Sequence, residues 1–345
     1  MESTRRPRLS PAIADLRRAV RELLPESGLV LVGLSGGADS LALAAATAFE
    51  APRAGLRAGA VIIDHGLQAG SAGIAAAAAA QAAGLGLDPV LVQTVEVTDA
   101  DGDGPEAAAR TARYAAFDTA LEQTGAAAVL LGHTLDDQAE TVLLGLARGS
   151  GATSLHGMAR VTGPYRRPLL GIRRAQTRQA CLDAGLTAWS DPQNLDPRYA
   201  RVRVRESVLP LLEAELGPGI AESLARTAVT LREDADALDA LVPPLLAGAV
   251  TVGESWTSVR VAALAAQPAA LRQRMIRMVA TDAFGAALER SHTLAVARLV
   301  THWHGQKALD LPGVRVERQG DMLYFSAARH TQNKGPFHSY GTSLH

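Results

Sequence analysis

An α/β fold, a doubly wound parallel sheet with a second, smaller and mainly helical domain behind it, is the class this sequence predicts. Three observations predict it. Apolar runs at 29–34, 60–64, 90–97 and 126–132 alternate with helical stretches near 39–50, 71–83 and 105–124, the pattern of parallel strands with crossover helices. Three of those strands end in polar residues, at Ser35 to Ser40, Asp64-His65-Gly66 and Gly132-His133-Thr134, and ligands of such sheets lie beyond the strands' carboxyl ends. Past Gly217-Pro218-Gly219 the alternation stops and helical periodicity takes over.

The elements follow from local pattern. The first eight residues are basic and lead into Leu9-Ser10-Pro11 and an amphipathic stretch with Arg17, Arg18 and Arg21, without the apolar centre of a signal peptide. Ala-rich runs such as 74–80 are too short to span a bilayer. No membrane association and a cytoplasmic location are expected. A helix from about 135 to 147 stops at Arg148-Gly149-Ser150-Gly151, a Gly-terminated end. A second phase opens at Tyr165-Arg166-Arg167-Pro168-Leu169-Leu170, continues as a helix near 173–184, passes Trp189 to Asn194 and enters an arginine-lined helix over 199–215. Leu216-Gly217-Pro218-Gly219 then breaks the chain, which places a domain boundary at residue 218. Beyond it, 220–247 and 285–304 read as helices, and 314–316 with 322–325 reads as a small hairpin. The expected domains are therefore 1–218 and 219–329, with a tail over 330–345 that lacks apolar periodicity and is expected to be disordered.

The first strand end carries the strongest signal. Ser35-Gly36-Gly37-Ala38-Asp39-Ser40 puts two glycines, then Asp and Ser, between a buried strand and a helix start. Backbone N–H groups there can approach a polyphosphate closely, with the positive helix end behind them. Ser35 and Ser40 can donate to phosphate oxygens, and Asp39 can hold magnesium against them. A Gly-rich turn in which Asp39 or Ser40 serves only as N-cap is the structural alternative. Two other phosphate loops do not apply, because neither Gly-Lys-Ser/Thr nor Gly-x-Gly-x-x-Gly follows this strand.

The fourth strand end gathers acids. In Gly132-His133-Thr134-Leu135-Asp136-Asp137-Gln138-Ala139-Glu140-Thr141, helical spacing lets Asp136 or Asp137 pair with Glu140 around magnesium or an ammonium group. The structural alternative is a capping box, Thr134 at the N-cap and Asp137 at N3. It leaves His133, Asp136 and Glu140 unexplained. Arg110 and Arg113 stand one helical turn apart, a spacing that suits a triphosphate, a nucleic-acid phosphate or plain solvent exposure. Asp64 and His65 could bind a base or ribose edge, or turn the chain.

Composition narrows the class. The net charge is −1, so no global basicity advertises nucleic acid, yet residues 160–210 hold ten arginines against four acids, a candidate anion-binding surface that includes Arg201, Arg203 and Arg205. The single cysteine, Cys181, excludes an internal disulfide, a Cys-x-x-Cys pair and any cysteine-held cluster.

Taken in order, these strings resemble the PP-loop ATP pyrophosphatase superfamily (N-type) and, within it, the tRNA(Ile)-lysidine synthase family. The strings are Ser35 to Ser40, Asp64-His65-Gly66-Leu67, Ala109-Arg110-x-x-Arg113-Tyr114, Gly132 to Thr141, Arg148-Gly149-Ser150-Gly151, Arg167-Pro168-Leu169-Leu170, and Asp191-Pro192-x-Asn194 leading to Arg201-x-Arg203-x-Arg205. The resemblance implies a PP-loop nucleotide-binding domain and ATP-dependent ligation of free L-lysine to the wobble cytidine of a CAU-anticodon tRNA(Ile), through an adenylated cytidine. It implies ATP and Mg2+, with Ser35, Gly36, Gly37, Ala38, Asp39, Ser40, Asp64, His65, Gly132 and His133 around the nucleotide and Asp39 on the metal. It implies catalytic roles for Asp39, Arg113, Asp137 and Glu140. Arg110, Arg113, Asp136, Asp137, Glu140, Asn194, Arg201, Arg203 and Arg205 would face the tRNA and lysine.

Two departures stand out. Family members carry a second histidine before the double Asp where this chain has only His133. The region after 218 has room for one appended domain, expected to bind tRNA. A PP-loop tRNA thiolase, a small-molecule ligase of the superfamily and a nucleotide sensor without chemistry are the competing readings, and a homodimer is one oligomeric state left open.

Overall fold

The computed structural model describes residues 10–66, 70–97, 105–149, 155–191 and 196–328. The chain forms two compact units, divided between Arg232 and Glu233.

The first unit is built on a six-stranded sheet. Its strands are β1 (Leu29–Gly33), β2 (Arg57–Asp64), β3 (Val90–Thr94), β4 (Ala128–Leu131), β5 (Val161–Thr162) and β6 (Tyr165–Arg166), in the order β3-β2-β1-β4-β6-β5. All neighbours run parallel except the edge pair β5 and β6. Leu29, Val30, Leu31 and Val32 are all buried, as are the four residues of β4. Burial on both faces explains why these strands read as unbroken apolar runs. Strand order reverses between β1 and β4, so a crevice opens beyond their carboxyl ends.

The helices follow the expected alternation: α1 (Pro11–Arg21), α2 (Ala38–Arg53), α3 (Ser71–Gly84), α4 (Pro105–Thr124) and α5 (Leu135–Ala147). In α1 the buried residues Ala12, Leu16 and Val20 recur every four positions, the stripe of a surface helix. One core packs α1, α2 and α3 against β1, β2 and β4, and a second joins Phe117 and Ala120 of α4 to Leu31, Val61, Val129 and Tyr165. At the end of α5, Gly149 takes φ +65°, a left-handed stop that suits glycine.

After the hairpin of β5 and β6 come α6 (Arg174–Asp183), α7 (Ala200–Arg203) and α8 (Leu209–Leu216). The arginine-lined helix expected over 199–215 is interrupted by a π turn over Val204–Val208, an insertion that re-aims the side chains around it. Gly217-Pro218-Gly219 precedes α9 (Ile220–Ala240), and it is within α9 that the two units divide.

The second unit places α10 (Val242–Leu246), α11 (Val261–Ala265), α12 (Ala269–Phe284) and α13 (Arg290–Thr301) with a five-stranded antiparallel sheet. The helices expected over 220–247 and 285–304 are shorter than the sequence pattern suggested: Leu241 separates α9 from α10, and α13 begins only at Arg290. The expected hairpin is present as β10 (Val314–Gln319) and β11 (Met322–Ala327), turned at Gly320-Asp321 with Gly320 at φ +56°, a two-residue loop of the primed kind. Around it β7 (Val250–Val252), β8 (Trp256–Arg260) and β9 (Leu309–Leu311) complete the order β7-β8-β11-β10-β9. Phe325, Val316, Met275 and Leu264 are fully buried in this unit's own core. Among the described residues no helix is long and apolar enough to cross a membrane.

Candidate active site

The loop after β1 is shaped by its own serines. The Ser35 amide donates to Ser40 Oγ at 3.1 Å, the two hydroxyl oxygens lie 3.1 Å apart, and Ser40 Oγ donates to the Gly37 carbonyl at 3.0 Å. Gly36 bends the loop at φ +82°, and its carbonyl accepts from the Trp189 amide at 2.9 Å. Gly37 is the N-cap of α2 and makes no side-chain cap. Neither Asp39 nor Ser40 caps the helix, so the cap-only alternative falls. The first amides of α2 have no intrahelical acceptor and face the loop's mouth with the positive helix end.

The loop after β4 lies directly against it. A Cβ at Gly132 would meet the Ser40 amide nitrogen at 3.0 Å and the Asp39 carbonyl carbon at 3.1 Å. In α5, Thr134 and Asp137 form the capping box foreseen as the alternative: the Thr134 amide donates to Asp137 Oδ2 at 2.8 Å, and the Asp137 amide to Thr134 Oγ1 at 3.4 Å. The box occupies only one Asp137 oxygen. The other, Oδ1, accepts from Arg174 Nη2 at 2.9 Å.

Arg174, the first residue of α6, is the hub of the site. Its Nη1 donates to Glu140 Oε1 at 3.1 Å, its Nε lies 3.5 Å from Asp39 Oδ2, and its backbone amide donates to Asp136 Oδ2 at 2.8 Å. Glu140 is fully buried and also receives Arg205 Nε at 2.7 Å and Nη2 at 3.0 Å, with Arg201 Nε at 3.5 Å. Burial alone would lower the Arg174 guanidinium's pKa, but Asp137, Glu140, Asp39 and Asp136 together raise it. Burial likewise works against the Asp137 carboxylate, and Arg174 and the Thr134 amide outweigh it, holding Asp137 below the usual carboxylate range. Asp39 goes the other way: burial pushes it up, against the Thr177 hydroxyl that donates to its Oδ1 and against Arg174. A pocket of about 150 Å³ opens beside Asp136, Glu140, Arg173, Arg174, Arg205 and Glu213.

Two histidines stand at the neighbouring strand ends. His133 is held neutral, its pKa brought to about 4 by burial first and then by Arg167, Arg110 and Arg201 against the pull of Asp137. Its Nδ1 and that of His65 are buried without a hydrogen-bond partner. His65 is also lowered, by burial and then Arg113. Asp64 Oδ1 accepts from the Gly66 amide at 3.0 Å, and this bond, with that of Ser71, lowers its pKa. On α4, the Arg110 guanidinium lies 5.0 Å from the centroid of the Tyr114 ring, whose hydroxyl accepts from the buried Arg167 at 3.1 Å.

The fold thus brings Ser35 to Ser40, Asp136, Asp137, Glu140, Arg201 and Arg205 to one place. Arg203 is not among them: it donates to the carbonyls of Pro197 and Arg198. Asn194, together with Leu67, Ser150, Gly151 and 330–345, lies outside the described residues. Sequence reasoning passed over Arg174 and Thr177. In the sequence Arg174 is one member of the arginine-rich stretch, and the one signal that singles it out is its position at a helix start just after the apolar turn Pro168–Gly171.

Among the described residues no group of three or more His, Cys, Asp or Glu is arranged to hold a metal. The residues fit a divalent cation in one mode, Asp39 as a single carboxylate beside nucleotide phosphates, the usual habit of magnesium. Cys181 is buried, donates to the Ala38 carbonyl at 3.4 Å and has its thiol pushed up to about 11 by burial and then by Asp39, which suits packing and not sulfur chemistry.

A PP-loop domain family matches residues 11–212, and a TilS substrate binding domain family matches residues 260–324. A tRNA(Ile)-lysidine synthase of Leifsonia xyli is 61% identical over 306 residues, covering 88% of this chain and 91% of its own. A tRNA(Ile)-lysidine synthase of Thermobifida fusca is 54% identical, covering 90% of this chain and 96% of its own. The solved U34-tRNA thiolase NcsA of Methanococcus maripaludis, 20% identical with a TM-score of 0.54, covers 64% of this chain and 80% of that one, a likeness of fold.

Proposed function

Because the chain belongs to the tRNA(Ile)-lysidine synthase family, we propose that it joins free L-lysine to C2 of the wobble cytidine, C34, of a CAU-anticodon tRNA(Ile). The C2 oxygen of C34 attacks the α-phosphate of ATP and pyrophosphate leaves. The ε-amine of lysine then attacks C2, the C2–oxygen bond breaks, AMP departs with that oxygen, and the amine's proton passes to an acidic side chain or water. Only the neutral amine is nucleophilic. The product pairs with A in place of G, turning an AUG reader into an AUA reader.

The observation that carries this reading is the meeting of a phosphate site and an acidic site at adjoining strand ends, with Gly132 against the backbone of Asp39 and Ser40. Ser35, Ser40 and the amides from Gly36 to Asp39 cradle the triphosphate, stabilising charge on the leaving pyrophosphate. Asp39 and the phosphates would hold Mg2+, which when bound neutralises part of that charge. Asp64, His65 and His133 face the nucleoside, and Arg110 and Arg113 face phosphate or the reacting cytidine. Asp136, Asp137 and Glu140 take the lysine. A carboxylate held as low as Asp137 suits gripping an ammonium group better than taking its proton.

Asn194 and Arg203 with the rest of the 160–210 stretch position the tRNA through phosphate, while Arg201 and Arg205 stay on Glu140 at the lysine site, and the region after 218 contributes to tRNA discrimination. The reaction belongs in the cytoplasm. The test is incorporation of radiolabelled lysine into an in vitro CAU-anticodon tRNA(Ile) transcript with ATP and magnesium. We expect label in the transcript and none with Asp39→Ala or with a C34→U transcript. Pyrophosphate release without lysine incorporation by folded enzyme would assign a different acceptor.

A further inference from the structure

Every nitrogen of the Arg174 guanidinium is committed to an acid. Nε faces Asp39 Oδ2 at 3.5 Å, Nη1 meets Glu140 Oε1 at 3.1 Å and Nη2 meets Asp137 Oδ1 at 2.9 Å. Two of these carboxylates are the ones proposed to take the lysine. The third stands in the first turn of α2, behind the loop that would hold the triphosphate. A single side chain therefore occupies the cation site and borders the anion site.

A substrate ammonium cannot reach Asp137 and Glu140 as a fresh partner while this fork is in place, since the acids are already matched by charge and geometry. Glu140 has Arg205 and Arg201 besides, but Asp137 Oδ1 has Arg174 at 2.9 Å and Arg205 only at 3.8 Å. Phosphate attracts a guanidinium in the same forked geometry as a carboxylate and with more charge. Triphosphate entering the loop gives Arg174 an anion beyond Asp39, and magnesium on Asp39 would remove one of its three present partners.

We infer that Arg174 is a specificity-determining internal cation: it stands in for the substrate amine until nucleotide phosphate draws it away, so that lysine is admitted to Asp137 and Glu140 only after ATP. This rests on the lysine-ligating reading above and adds an order of binding to it. Lysine binding is then coupled to nucleotide binding, and by linkage the reverse coupling is equal.

The test is equilibrium dialysis of radiolabelled L-lysine against wild-type enzyme, with and without α,β-methylene ATP and magnesium, and without tRNA. Wild type is expected to bind lysine at least tenfold more tightly with the analogue. Arg174→Gln is expected to bind lysine equally with and without it, and to bind the analogue itself several-fold more weakly. Arg174→Lys, a point charge without the fork, should show coupling between the two, and thermal unfolding of both variants reports folding separately. Equal lysine binding by wild type in the two states, including none in either, overturns the proposal. So does coupling that survives in folded Arg174→Gln. The arm with analogue alone does not depend on the acceptor: failure of lysine incorporation into tRNA would remove the ligase reading, while unchanged analogue affinity in Arg174→Gln would remove the transfer of Arg174 to phosphate.

Discussion

Gly132 stands backbone to backbone with Ser40. The position of a Cβ at Gly132 lies 3.0 Å from the Ser40 nitrogen and 3.1 Å from the Asp39 carbonyl carbon. The turn after β4 and the first turn of α2 are thus held at a separation that is tight for any Cβ, and this places the acids of α5 beside the loop after β1.

Gly132→Ala must push that helix start outward by a few tenths of an ångström. Overpacking of this kind costs about 1–3 kcal/mol, and the displaced atoms are those that would cradle phosphate. We expect a lower unfolding midpoint and an ATP KM raised more than the lysine KM. An ATP KM equal to wild type in a folded variant would show that the loop tolerates the shift and that the close contact serves packing alone.

Thr177 donates its hydroxyl to Asp39, and that bond favours the carboxylate over the acid. Thr177→Val removes it, so the Asp39 carboxyl, already raised by burial, rises further. Activity that requires the anion is lost as pH falls through this value, and the acid limb of kcat/KM for ATP should therefore move to higher pH in the variant while the alkaline limb stays. An unmoved acid limb would mean that Asp39 ionisation does not control nucleotide use.

Asp137 has the opposite sign. Its folded carboxyl lies below its unfolded value, so the stability it contributes is present above about pH 3.9 and is lost as pH falls through the lower folded value. Asp137→Asn keeps an acceptor for the Thr134 amide but gives Arg174 no charge. The variant should be less stable at neutral pH, with the gap to wild type narrowing below about pH 4. A gap constant with pH in denaturant titrations would place its origin in the capping box and not in the ion pair.

How much of this was legible depended on where each contact partner lies in the chain. The strands, the crossover helices and the two loops are written locally, since a buried parallel strand must be apolar throughout and a phosphate loop must carry glycine and hydroxyls in sequence. The capping box of Thr134 and Asp137 spans four residues and is readable for the same reason. Arg174 and Thr177 were not, because their partners Asp39, Asp137 and Glu140 are far away in sequence and nothing near residue 174 requires an arginine. The triplet Arg201, Arg203 and Arg205 was readable as a group but not as a division of labour: helical geometry turns Arg201 and Arg205 onto Glu140 and sends Arg203 to backbone carbonyls. The strands β7, β8 and β9 escaped notice because they are short and two of them are partly exposed, which leaves little alternation to read.

His133 supplies the last test. Burial, then Arg167, Arg110 and Arg201, bring its pKa to about 4 against the pull of Asp137, well under the ordinary value of about 6.5. The ring is therefore neutral at physiological pH, with one N–H and one lone pair, and it cannot serve there as a cation for phosphate or as a ready proton donor. In a selectively labelled sample its ring signals should hold steady across the range where exposed histidines titrate and move only near about pH 4. The pH profile of pyrophosphate release should carry no limb that His133→Gln abolishes, although that variant loses the ring's shape and so some rate. An inflection near about 6.5 that disappears in His133→Gln would show a charged imidazole in the working enzyme and would reassign His133 from a nucleoside contact to a phosphate contact.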